Sequence, residues 1–266
     1  MCRFITLFVV FSLVSCSPPD QKEYYRGMTE VKKKNFINSL LHFENTIKLS
    51  PNSMWAVNAS REAARVSLYE IKNYKKAIFF NKQLVLYSND SEERIKAQKE
   101  ISYINFDNLQ NYQQSIIEFN KLLQMTEKDS DIATYKLTIA RAFFYLNNFN
   151  QAQSEINEAS RLKIPDEIMF DLLILNGNIL VAQKKFPKAI IVYNDILKKF
   201  PMLSQKENVK LTLAVCYEEN LQFKESIEIL EKLKDIYKPP EYIELRIKKL
   251  KERLKNLPGA KGLYRK

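Results

Sequence analysis

The chain has 266 residues, enough for one or two ordinary domains or a single elongated repeat domain. Hydrophobic residues make up 45%, which excludes disorder throughout, while 4 Gly and 9 Pro are too few for the turns of a β-sandwich or for a phosphate-cradling loop. One His and three Cys leave no set for a metal site of common spacing, and 42 Lys/Arg against 31 Asp/Glu give a net charge of +11.

The first residues read as an address. Arg3 is the only charge before an apolar run, FITLFVVFSLV, from Phe4 to Val14. Eleven such residues suit the core of a signal peptide and fall short of the ~20 that a spanning helix needs. The run ends in Leu13-Val14-Ser15-Cys16, which resembles the bacterial lipobox. That resemblance implies a signal peptide over 1–15, diacylglyceryl and palmitate-type acylation of Cys16, and a tether over 16–22. Two or more acyl chains give stable anchoring where one is marginal. The alternatives are an ordinary cleaved signal peptide, or an apolar N-terminus with a chance Cys. Ser17 after Cys16 points, by the same resemblance, to the outer membrane with the chain facing the periplasm. Cys2 leaves with the peptide, so Cys216 in LTLAVCY remains as a single thiol, read as a small buried hydrophobe.

Six aromatic residues then recur: Phe36, Tyr74, Tyr112, Phe149, Phe186 and Phe223, at intervals of 38, 38, 37, 37 and 37. Three residues after each comes a small one: Ser39, Ala77, Ser115, Ala152, Ala189 and Ser226. Four further on come Phe43, Asn81, Phe119, Ile156, Tyr193 and Leu230, and three beyond those Thr46, Leu84, Leu122, Ala159, Ile196 and Leu233. Steps of 3, 4 and 3 trace one helix face. Asn35, Asn73, Asn111 or Asn148 precedes four of the aromatics. Asn tolerates the left-handed conformation that ends a helix, so each Asn-aromatic pair is expected to turn one helix into the next. Upstream lie further helical stretches such as TYKLTIARAFFYL and DLLILNGNILVAQ.

Helix, turn, helix at this spacing resembles the tetratricopeptide repeat, whose usual period is about 34. The resemblance covers residues 20–239. It implies an all-α chain, a right-handed superhelical solenoid of about six such repeats plus a C-terminal capping helix. The family's small residue of the first helix falls on Gly27, Ala140, Gly177 and Ala214, while the second and third repeats place Arg65 and Tyr103 there. The surplus length is expected in longer inter-repeat turns or an extended second helix. Repeats cannot bury their apolar faces singly, so stacking supplies the core and the ends need caps. The segment 240–257 fits a cap, with Ile243, Ile247, Leu250, Leu254 and Leu257 on one stripe. A coiled-coil partner is the rival reading of that stripe.

Catalysis finds little support. His42 is the only imidazole, in the second helix of the first repeat, and no pair of carboxylates stands out. No cofactor or metal is implied. By resemblance, the first helices line a groove that binds peptides or partner proteins. The groove positions are Tyr24, Met28, Glu62, Tyr69, Glu70, Glu100 and Asp107, then Leu137, Arg141, Phe144, Tyr145, Asp171, Ile174 and Asn178, and last Leu211, Val215, Glu218 and Glu219. That set is acidic and apolar and would match a ligand with apolar anchors and some basic residues. The alternative is that the charges sit on a solvated face and the aromatics pack between helices. From Lys238 to Lys266 there are ten Lys/Arg and three Asp/Glu, with a loose tail over 258–266. This end suits an anionic surface or acidic partner, or simply a solubilising cap. A secretory address makes nucleic acid a poor partner. The expected function is a non-catalytic, membrane-anchored scaffold of the bacterial envelope, in outer-membrane protein assembly, with an accessory regulator of a peptidoglycan-synthesis enzyme or a pilus assembly factor as the alternative.

Overall fold

The small residue three places after each turn aromatic is fully buried in all six repeats. So is the residue four further on, from Phe43 to Leu230. A small residue lets a neighbouring helix approach, and a large one fills the space beside it, each large side chain contributing about 1.5–3 kcal/mol by burial. The periodicity thus gives every second helix the same buried face. A computed structural model describes residues 17–206 and 208–256. The signal segment, Cys16, Leu257 and the basic tail lie outside the described residues.

Among the described residues the chain forms helices α1 (Pro19–Lys32), α2 (Phe36–Leu49), α3 (Met54–Arg65), α4 (Tyr74–Tyr87), α5 (Ser91–Tyr103), α6 (Tyr112–Leu123), α7 (Asp129–Tyr145), α8 (Phe149–Ala159), α9 (Asp166–Ala182), α10 (Phe186–Lys199), α11 (Pro201–Lys206), α12 (Val209–Glu219), α13 (Phe223–Leu233) and α14 (Pro240–Lys255), with no strand. The turn aromatic opens α2, α4, α6, α8, α10 and α13. None of these helices is long and apolar enough to cross a membrane.

Two compact units divide at Gln110 and Asn111, in the turn of the third repeat. In the first, α1 pairs with α2 and α3 with α4, while α1 also packs on α3 and α4 on α5. In the second, α7 pairs with α6, α8 and α9, α10 with α9 and α12, and α13 with α12 and α14. Gly27 and Gly177 occupy the small position of α1 and α9. A Cβ on Gly27 would stand 2.6 Å from the Phe43 ring, and one on Gly177 would stand 2.7 Å from Tyr193. Ile243, Ile247 and Leu250 of α14 are buried in a cluster with Ala214, Phe223 and Leu230.

The turns correct one expectation. The left-handed residue is not the Asn before the aromatic but the residue before that Asn: Lys34, Lys72, Gln110, Asn147, Lys184 and Leu221, with φ between 49° and 60°. Only one of the six is Asn. In the turns that follow α1, α7, α9 and α12 the backbone closes the helix by itself. Asn35 N–H donates to the carbonyl five residues back and Lys34 N–H to the one three back, and the other three turns repeat this. Satisfying the last carbonyls makes the strained conformation tolerable for Lys or Leu. At two of the four Asn turns the side chain instead caps the next helix, while Asn35 and Asn148 make no such bond. The side chains of Asn73 and Asn111 accept from the N–H of Lys76 and Gln114.

The surplus length sits only partly where expected. In the fourth and fifth repeats it lies in the first helices, α7 and α9 with 17 residues each against 11 to 14 in the second helices, while before α12, which has 11, it lies in the inter-repeat connection that carries α11. The two 38-residue intervals have their own cause. Here α3 and α5 end in π-helical turns, Val66–Glu70 and Ile104–Asn108. A π turn absorbs one extra residue within a helix. Asn73 N–H accordingly reaches six residues back, to Ser67 O at 2.7 Å. Upstream of each insertion the register shifts by one. The buried small residues of the second and third repeats are therefore Ala64 and Ser102. Arg65, assigned that place from the sequence, is exposed, and Tyr103 is half-buried.

Candidate functional site

The first unit contains a cleft of about 350 Å³ between α3 and α5. Two local features build it. At the large buried position of the second helix, the second repeat has Asn81 where the others have Phe, Ile, Tyr or Leu. The smaller residue leaves room above α4. Helix α1 packs on α3 and α7 on α9, yet α3 and α5 make no comparable approach. The floor is Asn81 and Leu84 with the Glu100 carboxylate bound to Asn81, the walls Ala64 and Ala97, and the rim carries Arg61, Glu62, Arg65, Tyr69, Glu93 and Lys96. A second recess of about 360 Å³ adjoins it, lined by the two π turns through Leu68, Tyr69, Ile104 and Asn108, together with Tyr74, Glu100 and Tyr103. Tyr69 and Glu100 line both.

The rim cations are largely neutralised. Arg61 donates to both carboxylate oxygens of Glu93, at 2.5 and 3.1 Å, tying α3 to α5. The hydrogen bond from Arg61 holds the Glu93 carboxyl below its usual range, and the Ser88 hydroxyl adds to this. Arg65 pairs with Glu62 at 3.1 Å and with Glu70 at 3.4 Å. The cleft thus has three cations and three carboxylates, which corrects the acidic character expected of this half. Its floor is different. Asn81 is 1% exposed, and its Nδ2 donates to Ala77 O and to Glu100 Oε2, both at 3.1 Å.

Of the positions assigned from the sequence, Glu62, Tyr69 and Glu100 come together in this cleft. Glu70 is exposed and bound to Arg65, and Asp107 is exposed on the second π turn. In the second unit the residues do not converge on one pocket among those described. Leu137 is a correction: it lies in the core with Ala140 and Ile156 and cannot face a ligand. Arg141 pairs with Asp171 at 2.8 Å, joining α7 to α9. Phe144 packs against Tyr145 and Phe149, and Tyr145 stacks on Tyr112 with ring centroids 4.8 Å apart. Asn178 Oδ1 accepts from the Tyr193 hydroxyl at 2.7 Å. Glu218 is the second correction. Both its oxygens are taken by Arg246 and Arg253 of α14, so it fixes the terminal helix instead of standing open.

His42 Nδ1 lies 2.7 Å from Glu23 Oε2, a link between α1 and α2. Cys216 is buried, and burial pushes its thiol up to about 11, which suits packing and not reactivity. Sequence reasoning passed over Asn81, Arg61 and Lys96. The signal was present: Asn81 is the one polar residue at its place in the repeat, and the intervals of 38 mark the two inserted residues.

Solved structures share this arrangement of helical hairpins. YrrB, described as a TPR protein with an unusual peptide-binding site, aligns over 78% of this chain and 97% of its own, with a TM-score of 0.52 and 15% identity. A tetratricopeptide repeat protein from Parabacteroides merdae aligns over 88% and 87%, with a TM-score of 0.54 and 10% identity. The chain has the tetratricopeptide-repeat fold. The cleft between α3 and α5 lies between the first helices of the second and third repeats. PilW, a type IV pilus biogenesis factor, shares the TPR fold over 86% of this chain and 100% of its own, with a TM-score of 0.54 and 12% identity. No protein-family model matches the chain, and no curated protein matches it.

Proposed function

We propose that this TPR chain is a non-catalytic, membrane-anchored protein-interaction scaffold of the bacterial envelope. The observation that carries the interaction reading is the cleft between α3 and α5, a concave, partly apolar site with convergent polar groups. YrrB, with the same fold, is described by its peptide-binding site. The anchor rests on the sequence alone: the apolar run before Cys16 and the small residues preceding it. Cys16 holds the chain to the outer membrane, facing the periplasm, and the repeats gather client proteins, in outer-membrane protein assembly. The basic excess of α14 is partly spent within the fold, since Arg246, Arg253 and Lys251 pair with Glu218 and Glu231. The remainder, with the tail, lies against an anionic surface.

An accessory factor for pilus assembly is the second reading, favoured by the fold shared with PilW along the whole of that chain. An accessory regulator of a peptidoglycan-synthesis enzyme is the remaining alternative. Crosslinking in intact cells, followed by purification of the tagged full chain and mass spectrometry, separates the three. Outer-membrane β-barrel assembly subunits support the first reading, pilus subunits the second and a cell-wall synthase the third. Cys16→Ala is expected to leave an unprocessed precursor or a soluble periplasmic protein. A variant that is processed and membrane-bound like the parent would contradict the anchor.

A further inference from the structure

The floor of the α3–α5 cleft is chemically one-sided. The Asn81 amide uses both its hydrogens, one on Ala77 O and one on the Glu100 carboxylate, each at 3.1 Å. Those two acceptors fix the orientation of the amide, because a flipped group would set oxygen against oxygen. Its Oδ1 then accepts from no group among the described residues, and Asn81 lines the cleft. Among the described residues Glu100 receives the Asn81 hydrogen bond and makes no ion pair. The floor therefore presents an amide oxygen and a carboxylate, both acceptors, at the bottom of an otherwise apolar slot of Leu84, Ala64 and Ala97. Acceptors that face a cleft without a protein donor favour a ligand that donates, and a carboxylate binds a cationic donor most strongly.

We propose that this cleft receives an arginine or lysine side chain from an extended segment of a protein partner. The inference rests on the interaction reading above and names what the site selects. The aliphatic stem lies along Leu84, Ala64 and Ala97, and the charged tip donates to Asn81 Oδ1 and Glu100. The rim does not repel it as its sequence suggests. Glu93 neutralises Arg61, and Glu62 and Glu70 neutralise Arg65, which leaves Lys96 as the rim cation without an ion pair among the described residues. Tyr69, 63% exposed, stands where the cleft meets the adjoining recess and offers a ring face to the cation or to the next residue of the segment. The site exists because the second repeat departs from the repeat pattern at Asn81.

The test uses the full chain in detergent and fluorescein-labelled heptapeptides, acetyl-Ala-Leu-Ala-X-Ala-Leu-Ala-amide, where X is arginine, lysine, norleucine or glutamate. Fluorescence anisotropy reads the affinity. The arginine and lysine peptides are expected to bind saturably, at least tenfold tighter than the norleucine peptide, with the glutamate peptide weakest. Glu100→Gln is expected to weaken the arginine peptide about tenfold and leave the norleucine peptide unchanged. Asn81→Phe restores the aromatic found at this place in the first and third repeats, so it should fold, melt no lower than the parent and lose binding. Equal binding of arginine and norleucine peptides, lost in Asn81→Phe, would overturn the selectivity and keep the cleft as an interaction site. Arginine-peptide binding that survives Asn81→Phe, or no saturable binding of any peptide up to millimolar concentration, would overturn the proposal. The cellular crosslinking would then judge the interaction reading by itself.

Discussion

Deleting a single residue from the middle of a helix normally ruins a repeat protein, yet deletion of Ser67 should not. The π turn Val66–Glu70 contains one residue more than the matching segment of the fourth, fifth and sixth repeats. Removing Ser67 leaves Ala64 and Arg65 in place upstream and Lys72, Asn73 and Tyr74 downstream, and the π turn relaxes to α. The magnitude follows from the site. Ser67 Oγ is buried without a protein partner, so its removal returns about 1–3 kcal/mol. One fewer residue must be ordered, returning ~1–2 kcal/mol more, against the lost bond from Asn73 N–H to Ser67 O. The sum is a net stabilisation of about 1–3 kcal/mol. Deletion of Phe143, in α7 where there is no π turn, serves as the contrast. It rotates one part of the helix against the other by ~100°, turning Leu137 and Ala140 away from Ile156, at a cost above ~3 kcal/mol. Trp55 is the only tryptophan and lies 5.4 and 5.3 Å from the rings of Tyr24 and Tyr25, so its emission follows the first unit. Urea titration read by Trp55 should give the Ser67 deletion a midpoint at or above that of the parent. A midpoint lowered by more than about 2 kcal/mol equivalent, or emission typical of exposed tryptophan in water, would refute the idea that the 38-residue interval is a one-residue insertion.

Close packing gives a second expectation. Gly177→Ala pushes a Cβ to 2.7 Å from a Tyr193 ring that is 1% exposed, and should cost about 1–3 kcal/mol by thermal melting; an unchanged melt would mean α9 and α10 do not meet as described. Leu221 holds φ 60° with its side chain largely exposed, so Leu221→Asn should raise stability by up to ~1 kcal/mol, whereas a loss would place the left-handed residue elsewhere. Acid should act on the bridge between α3 and α5. The Glu93 carboxyl is depressed below its ordinary value near 4.5, so its contribution is complete above that pH and fades as pH falls through the folded-state value. Glu93→Gln should therefore be less stable at neutral pH and lose less on acidification, which urea titrations at pH 7, 5 and 3.5 read directly; parallel curves for parent and variant would remove Arg61–Glu93 from the account. Ala189→Leu overpacks a fully buried position of the fifth repeat and should destabilise by ~1–3 kcal/mol, whereas unchanged melting would put the repeat register in error.

The repeat was legible because a helix face written six times leaves the same spacing six times. Small and large residues three and seven places after the turn aromatic are an unambiguous packing record. The turns were harder to read. Composition points to Asn as the left-handed residue, but the turn holds that conformation in Lys, Gln and Leu as well, and Asn73 and Asn111 instead cap the next helix. The first helices of the second and third repeats were misaligned for a similar reason. Counting back from the turn crosses the π turn, and each position beyond it rotates by about a residue, so Arg65 and Tyr103 were set where Ala64 and Ser102 belong. The same shift hid the cleft. Glu62, Tyr69 and Glu100 are legible as groove positions, whereas Arg61 and Lys96 are not. Glu218 looked like an open groove carboxylate because nothing in its own helix reveals that Arg246 and Arg253 arrive from α14. Asn81 was visible as an exception at its place in the repeat, whereas the space above it depends on α3 and α5 standing apart, a tertiary fact.

The most direct test of the central claim places a photocrosslinker in the recess beside the cleft in living cells. Tyr103→p-benzoylphenylalanine lines that recess, and Ile191→p-benzoylphenylalanine, on an exposed face of α10, is the control. An interaction site between α3 and α5 predicts a discrete crosslinked protein from position 103, absent from position 191 and lost when Asn81→Phe is added. No adduct at position 103, or one indifferent to Asn81→Phe, would contradict it.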